Sequence, residues 1–188
     1  MFEEVKTHVN ELFRNTSQIP HFERTCYWLQ ESYNHLMLGK PEQSFQIAAY
    51  AHDIERATRE QRISQIPLTS QLGYCDPEFL KHHQEKGAEI IVEFLRLKEY
   101  PEPLCQKVYG LVSRHEVGGT EDQNLLMDCD SLSFFDTQID GFITKQVPRL
   151  GVEKVRDKFN WMYSRISTPE RQVLARENYH QALERLNV

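Results

Sequence analysis

Four histidines and two aspartates fall at intervals suited to chemistry. His21 precedes His52 by 31 residues, Asp53 precedes His83 by 30, His115 follows after 32 and Asp130 after a further 15. Each interval is about one helix and its turn, which is how successive helices of a bundle bring side chains to one interior point. The pair His52-Asp53 stands at the end of the apolar run "IAAYA", and an imidazole beside a carboxylate is costly to bury unless each finds a partner. A solvated helix end would remove the difficulty, and so would a metal ion. Imidazole and carboxylate together suit Mn, Fe, Co, Ni or Zn. The four cysteines, Cys26, Cys75, Cys105 and Cys129, form no closely spaced pair, which argues against a closed structural zinc site. Adjacent residues of a helix point about 100° apart, so His52 and Asp53 cannot serve one metal through the same face; near a helix end they can straddle a site, with the carboxylate bridging toward a second ion.

The elements that would carry these residues are helical. Apolar spacing marks a first helix through Phe2, Val5, Val9, Leu12 and Phe13, and a second from Pro20 that carries His21 and stops at Gly39. Pro41 opens a third helix, "PEQSFQIAAYAHDIERA", in the first turn, where proline is tolerated. The stretch Thr58 to Asp76 reads as a long connection able to cover a site. Asp76-Pro77 caps a fourth helix bearing His83, and "PEPLCQKVYGLVSRHE" forms a fifth closed by His115. "EDQNLLMDCDSLSFFD" carries Asp130; two more helices follow, around "VEKVRDKFNWMYSRI" and from Thr168-Pro169. Strand-like alternation is nearly absent, so the prediction is an all-α bundle of about seven helices or a little more.

Composition agrees with a single domain over residues 1–188. Hydrophobic residues make up 39% and charged residues 27%, with a formal charge of −6, and that balance argues against general nucleic-acid binding. A small phosphorylated substrate remains compatible, because a local cluster of arginines acts inside an acidic protein. The N-terminus "MFEEVKTHVN" has no signal-type apolar region, and no apolar run reaches membrane-spanning length. The expectation is a soluble cytoplasmic protein with reduced thiols and no membrane partner.

The ordered set His, His-Asp, His, His, Asp on a helical chain resembles the HD-domain superfamily of metal-dependent phosphohydrolases. "AAYAHDIER" is similar to the helix with the signature pair, "HQEKGAEII" to the segment with a histidine before Gly-Ala, "VSRHE" to that with the fourth histidine, and "LLMDCDSLSFFD" to the final ligand segment. The likeness covers about residues 18–136 and leaves 137–188 as a C-terminal helical extension, which lengthens the bundle or serves a homodimer.

The resemblance implies that His21, His52, Asp53 and Asp130 hold one divalent ion, and that Asp53, His83 and His115 hold a second. His82 beside His83, and Asp128 near Asp130, leave each choice open. Many members read His-Asp-x-Gly-Lys where this chain reads His52-Asp53-Ile54-Glu55-Arg56. Arg56 in the lysine's place can fork onto a phosphate, and Arg24 and Lys86 are further candidates for substrate binding. Asp53, with Glu55 and Arg56, is the expected catalytic group. The implied function is hydrolysis of a nucleotide or other phosphate ester or anhydride. A dinucleoside-polyphosphate hydrolase is the alternative within that class, and a non-catalytic metal- or nucleotide-binding module or a di-iron oxygenase the alternatives outside it.

Overall fold

The computed structural model describes residues 2–187, and among them there is no strand. The first helix, α1 (Phe2–Phe13), buries Val5, Val9 and Phe13, one residue per turn on one face. It packs on α3 (Gln43–Ala51), while α2 (Ile19–His35) packs on α3 and on α7 (Glu121–Thr137). Helix α3 begins at Gln43, beyond Pro41, with Glu42 at its N-cap position. It ends at Ala51, and the chain continues through the tighter turn of Ile54–Ala57.

The expected connection between Thr58 and Asp76 is largely helical. It holds α4 (Gln61–Thr69), with Pro67 inside, and a short turn at Gly73–Cys75. Ile63 anchors α4 on Phe79 and Leu80, so packing of one or two apolar residues overrides a sequence poor in aliphatic periodicity. Helix α5 (Pro77–Leu97) starts as predicted, with the Asp76 carboxylate accepting from the backbone of Glu78 and Phe79. Its Gly87 permits a close approach: a Cβ there would lie 3.2 Å from the carbonyl oxygen of His52. Helix α6 (Glu102–Val112) stops one turn before His115.

Helix α7 is opened by a capping box between Thr120 and Gln123 and is buried without a break from Leu125 to Phe135. It stands between two apolar clusters. One gathers α1, α2, α3, α5 and α6; the other joins Leu132, Phe134 and Phe135 to the C-terminal helices, and Trp28 packs against both. After α7 come α8 (Ile139–Gly141), a wider π turn at Phe142–Gln146, and α9 (Val147–Leu150). Helices α10 (Val152–Ser164) and α11 (Pro169–Arg185) complete the chain, with the Thr168 hydroxyl capping α11. No helix of the described residues is long and apolar enough to cross a membrane.

Candidate metal centre

The six ligand-type residues converge. His21, His52, Asp53, His83, His115 and Asp130 are all buried, none more than 5% exposed. The local break after α3 explains how neighbours serve one place. His52 keeps helical backbone angles, while Asp53, at φ −95° and ψ 12°, leaves the helix, so their side chains are not held on the diverging faces of a continuous helix.

Each histidine has its Nδ1 engaged at the periphery. His52 Nδ1 lies 3.0 Å from the carbonyl oxygen of Ala49, and His115 Nδ1 lies 2.7 Å from that of Val112. His83 Nδ1 is 2.9 Å from Glu55 Oε2 and 3.0 Å from Arg59 Nη2. His21 Nδ1 is 2.8 Å from Ser133 Oγ, which itself donates to the carbonyl oxygen of His21 at 2.7 Å and therefore accepts from the ring. The acceptors beside His21, His52 and His115 place the proton of each neutral ring on Nδ1 and its lone pair on Nε2, whereas His83 Nδ1 lies between an acceptor, Glu55, and a donor, Arg59.

Those Nε2 atoms meet the carboxylates. His21 Nε2 is 3.2 Å from His52 Nε2 and 3.0 Å from Asp130 Oδ1. His52 Nε2 is 3.4 Å from Asp130 Oδ1, and His83 Nε2 is 2.7 Å from Asp53 Oδ1. Three groups have ligand atoms within 4.8 Å of one another: His21, His52 and Asp53; Asp53, His83 and His115; and His115, Glu116 and Asp130.

A cation fits this arrangement. With both rings neutral, two lone pairs 3.2 Å apart repel, and a proton on His52 or a metal cation between them relieves this. His115 Nε2 and Asp53 Oδ2 are buried and have no hydrogen-bond partner, although such atoms are almost always satisfied. Arg56 Nε stands 2.9 Å from Asp53 Oδ2, close enough for an ion pair but not aligned as a hydrogen bond. Burial pushes His115 down to about 4 and keeps it neutral. Burial also works against protonation of His52, yet Asp53 and Asp130 outweigh it and raise that ring to about 9. Against burial, Arg56 and then His52 hold Asp53 well below the usual carboxylate range. These buried His, Asp and Glu groups can hold a metal ion.

The ambiguous choices separate cleanly. His83 faces Asp53, whereas His82 is partly exposed and only 3.9 Å from Glu55 Oε1. Asp130 faces His21 and His52, whereas Asp128 accepts from Ser167 N at 2.7 Å, Ser167 Oγ at 2.6 Å and Arg171 Nη1 at 2.6 Å, tying α7 to the start of α11.

A cavity of about 270 Å³ opens beside the cluster, lined by His21, Asp130, Glu116 and Arg56 and walled by aromatic rings that include Tyr74 and Phe134. Arg56 is placed in it as predicted. Glu55 is not: its carboxylate engages His83 and, at 2.5 to 3.0 Å, Arg59. Arg24, on the same side of α2 as His21, nonetheless turns away, pairing with Asp136 at 2.5 Å and lying over Tyr27 and Trp28. Lys86 is half-exposed, paired with Glu89 at 2.8 Å, and lies outside the cavity lining.

Sequence reasoning missed Glu116, Ser133, Arg59, Arg165 and Lys158. Glu116 adjoins His115 and Ser133 lies three residues past Asp130, so proximity to predicted ligands was a usable signal for both. Arg165, at the end of α10, forms ion pairs with Asp130 and Glu116 and donates to Ser131 Oγ at 2.8 Å; nothing local in the sequence marks it. Against burial, Lys158 and Arg165 pull Glu116 down to about 2.

Residues 9–186 match the family model described as "Domain of unknown function (DUF4202)". No curated protein and no solved structure matches the chain.

Proposed function

Because the chain belongs to the DUF4202 family, a domain of unknown function, we propose an activity from its site: metal-dependent hydrolysis of a small phosphorylated compound, a single nucleotide in the first instance. The carrying observation is the inward turn of all four Nε2 atoms, each ring held by a polar partner on Nδ1, toward two buried carboxylates beside a cavity that holds Arg56. The order of these residues is also that of the HD-domain superfamily, which supports the reading.

His21, His52, Asp53 and Asp130 would hold one divalent ion of the Mn, Fe, Co, Ni or Zn type, and Asp53, His83 and His115 a second. Such an ion supplies Lewis acidity that polarises a phosphoryl oxygen and makes water nucleophilic at neutral pH. The chain's own residues do the rest. Arg56 lines the cavity next to Asp53 and offers guanidinium N–H groups to the substrate's phosphoryl oxygens. Asp53 Oδ2, without a hydrogen-bond partner, orients the attacking water; held well below the usual carboxylate range, it is a weak base and positions the water better than it deprotonates it. Arg165 keeps Asp130 and Glu116 from turning outward. The aromatic wall provides an apolar face for a base.

At about 270 Å³ the cavity lies just below the usual range for small-molecule sites. That size favours a mononucleotide over a dinucleoside polyphosphate. The test loads the purified protein with each metal and compares phosphate release from a nucleotide panel and a sugar-phosphate panel. Release from at least one mononucleotide, lost in Asp53→Ala, is expected. Metal-loaded protein that releases phosphate from neither panel overturns the proposal.

A further inference from the structure

Three arginines lie against the four carboxylates around the cavity. Asp53 has Arg56 beside it, Glu55 has Arg59, and Arg165 serves both Asp130 and Glu116. Lys158 lines the same cavity from α10 and is 5% exposed. It forms neither a hydrogen bond nor an ion pair. Its ammonium sits 4.1 Å from the centre of the Trp161 ring, and burial is the main force lowering its affinity for a proton, with Glu116 pulling the other way. An ammonium largely withdrawn from water, with no protein acceptor in reach, is costly to keep, and one ring face offsets that only in part.

We propose that Lys158 is a phosphate-binding residue, whose ammonium meets the non-bridging oxygens of a dianionic phosphate, as a monoester or the terminal phosphate of a nucleotide presents them. The inference rests on the phosphohydrolase reading of the site and deepens it. A dianion supplies the acceptor that Lys158 lacks within hydrogen-bonding distance, while Glu116, whose charge Lys158 offsets from further away, already has Arg165 in direct contact. Lys145, on the π turn that faces the same cavity, likewise has no ion pair or hydrogen bond, so the C-terminal segment brings two lysines without a direct acceptor to the cavity. The helices beyond residue 137, outside the portion that resembles HD domains, would thereby complete the substrate pocket.

The test uses inorganic phosphate as the probe, titrated calorimetrically into Mn-loaded wild-type protein, Lys158→Met and Lys158→Arg, with thermal melting of each without phosphate. Lys158→Met should weaken phosphate by about 10- to 100-fold while leaving Tm unchanged or raised, because it breaks no hydrogen bond or ion pair and keeps the packing on Trp161. Lys158→Arg should keep most of the affinity. A structural lysine would behave oppositely, with Tm falling. Wild-type affinity in Lys158→Met overturns the inference and leaves the proposed function standing. A lowered Tm or failure to fold in Lys158→Met, with Lys158→Arg also weakened, assigns a structural role and overturns it too. No phosphate binding by wild-type protein that nonetheless hydrolyses a nucleotide overturns the inference alone; no binding together with no hydrolysis removes both.

Discussion

Glu55 Oε2 lies 2.9 Å from His83 Nδ1, 28 residues along the chain, and the same ring's Nε2 lies 2.7 Å from Asp53 Oδ1. The carboxylate fixes which nitrogen of His83 is offered inward, so Glu55 acts through the ring. Glu55→Gln should therefore lower metal affinity about 10- to 100-fold with helical content unchanged, measured by competition with a chelating dye. A fall in turnover at unchanged metal occupancy would instead put Glu55 in contact with the reacting groups.

Purified protein should carry one to two transition-metal ions per chain by elemental analysis, given six buried ligand-type residues. Removing them with a chelator should lower Tm by about 5 to 10 °C, for ions held at a hundredfold excess over Kd in a domain of this size. Adding Mn or Zn back should restore it. Identical melting with and without metal contradicts the site.

Asp128 and Asp130 sit two residues apart on α7 and should fail differently. Asp128 is fully buried and paired with Arg171 and Ser167, so Asp128→Asn should cost about 3 kcal/mol of unfolding free energy while metal content per folded chain stays the same. Asp130→Asn should lose metal at a smaller cost in helical content. Denaturant unfolding and metal analysis on both variants separate the two roles.

Arg56 and Arg24 differ in the same way for substrate. Arg56→Ala should reduce kcat/KM about 10- to 100-fold through loss of a charge-assisted contact of about 1.5–3 kcal/mol. Arg24→Ala, which breaks a pair with Asp136 outside the cavity, should leave kcat/KM within about twofold. Equal losses in both would show that Arg24 reaches the substrate after all.

The helices and the ligands were legible in the chain because both are encoded at short range. Caps such as Asp76-Pro77 and Thr168-Pro169 act within one turn, and a residue on the core face of a helix repeats every turn. Intervals of 30 to 32 residues therefore sufficed to place His21, His52, Asp53, His83 and His115 at one interior point. Other matters depended on which groups packing brings together. Helix α7 is buried on every side from Leu125 to Phe135, so no amphipathic stripe distinguishes Asp128 from Asp130; the arginines that fold back against each do. Arg24 lies three residues from His21 and still faces Asp136 rather than the cavity. Lys158 and Arg165 are ordinary basic residues of a late helix until α10 packs beside α7. There the low-dielectric interior turns one into the direct partner of two site carboxylates and leaves the other with no acceptor in hydrogen-bonding reach.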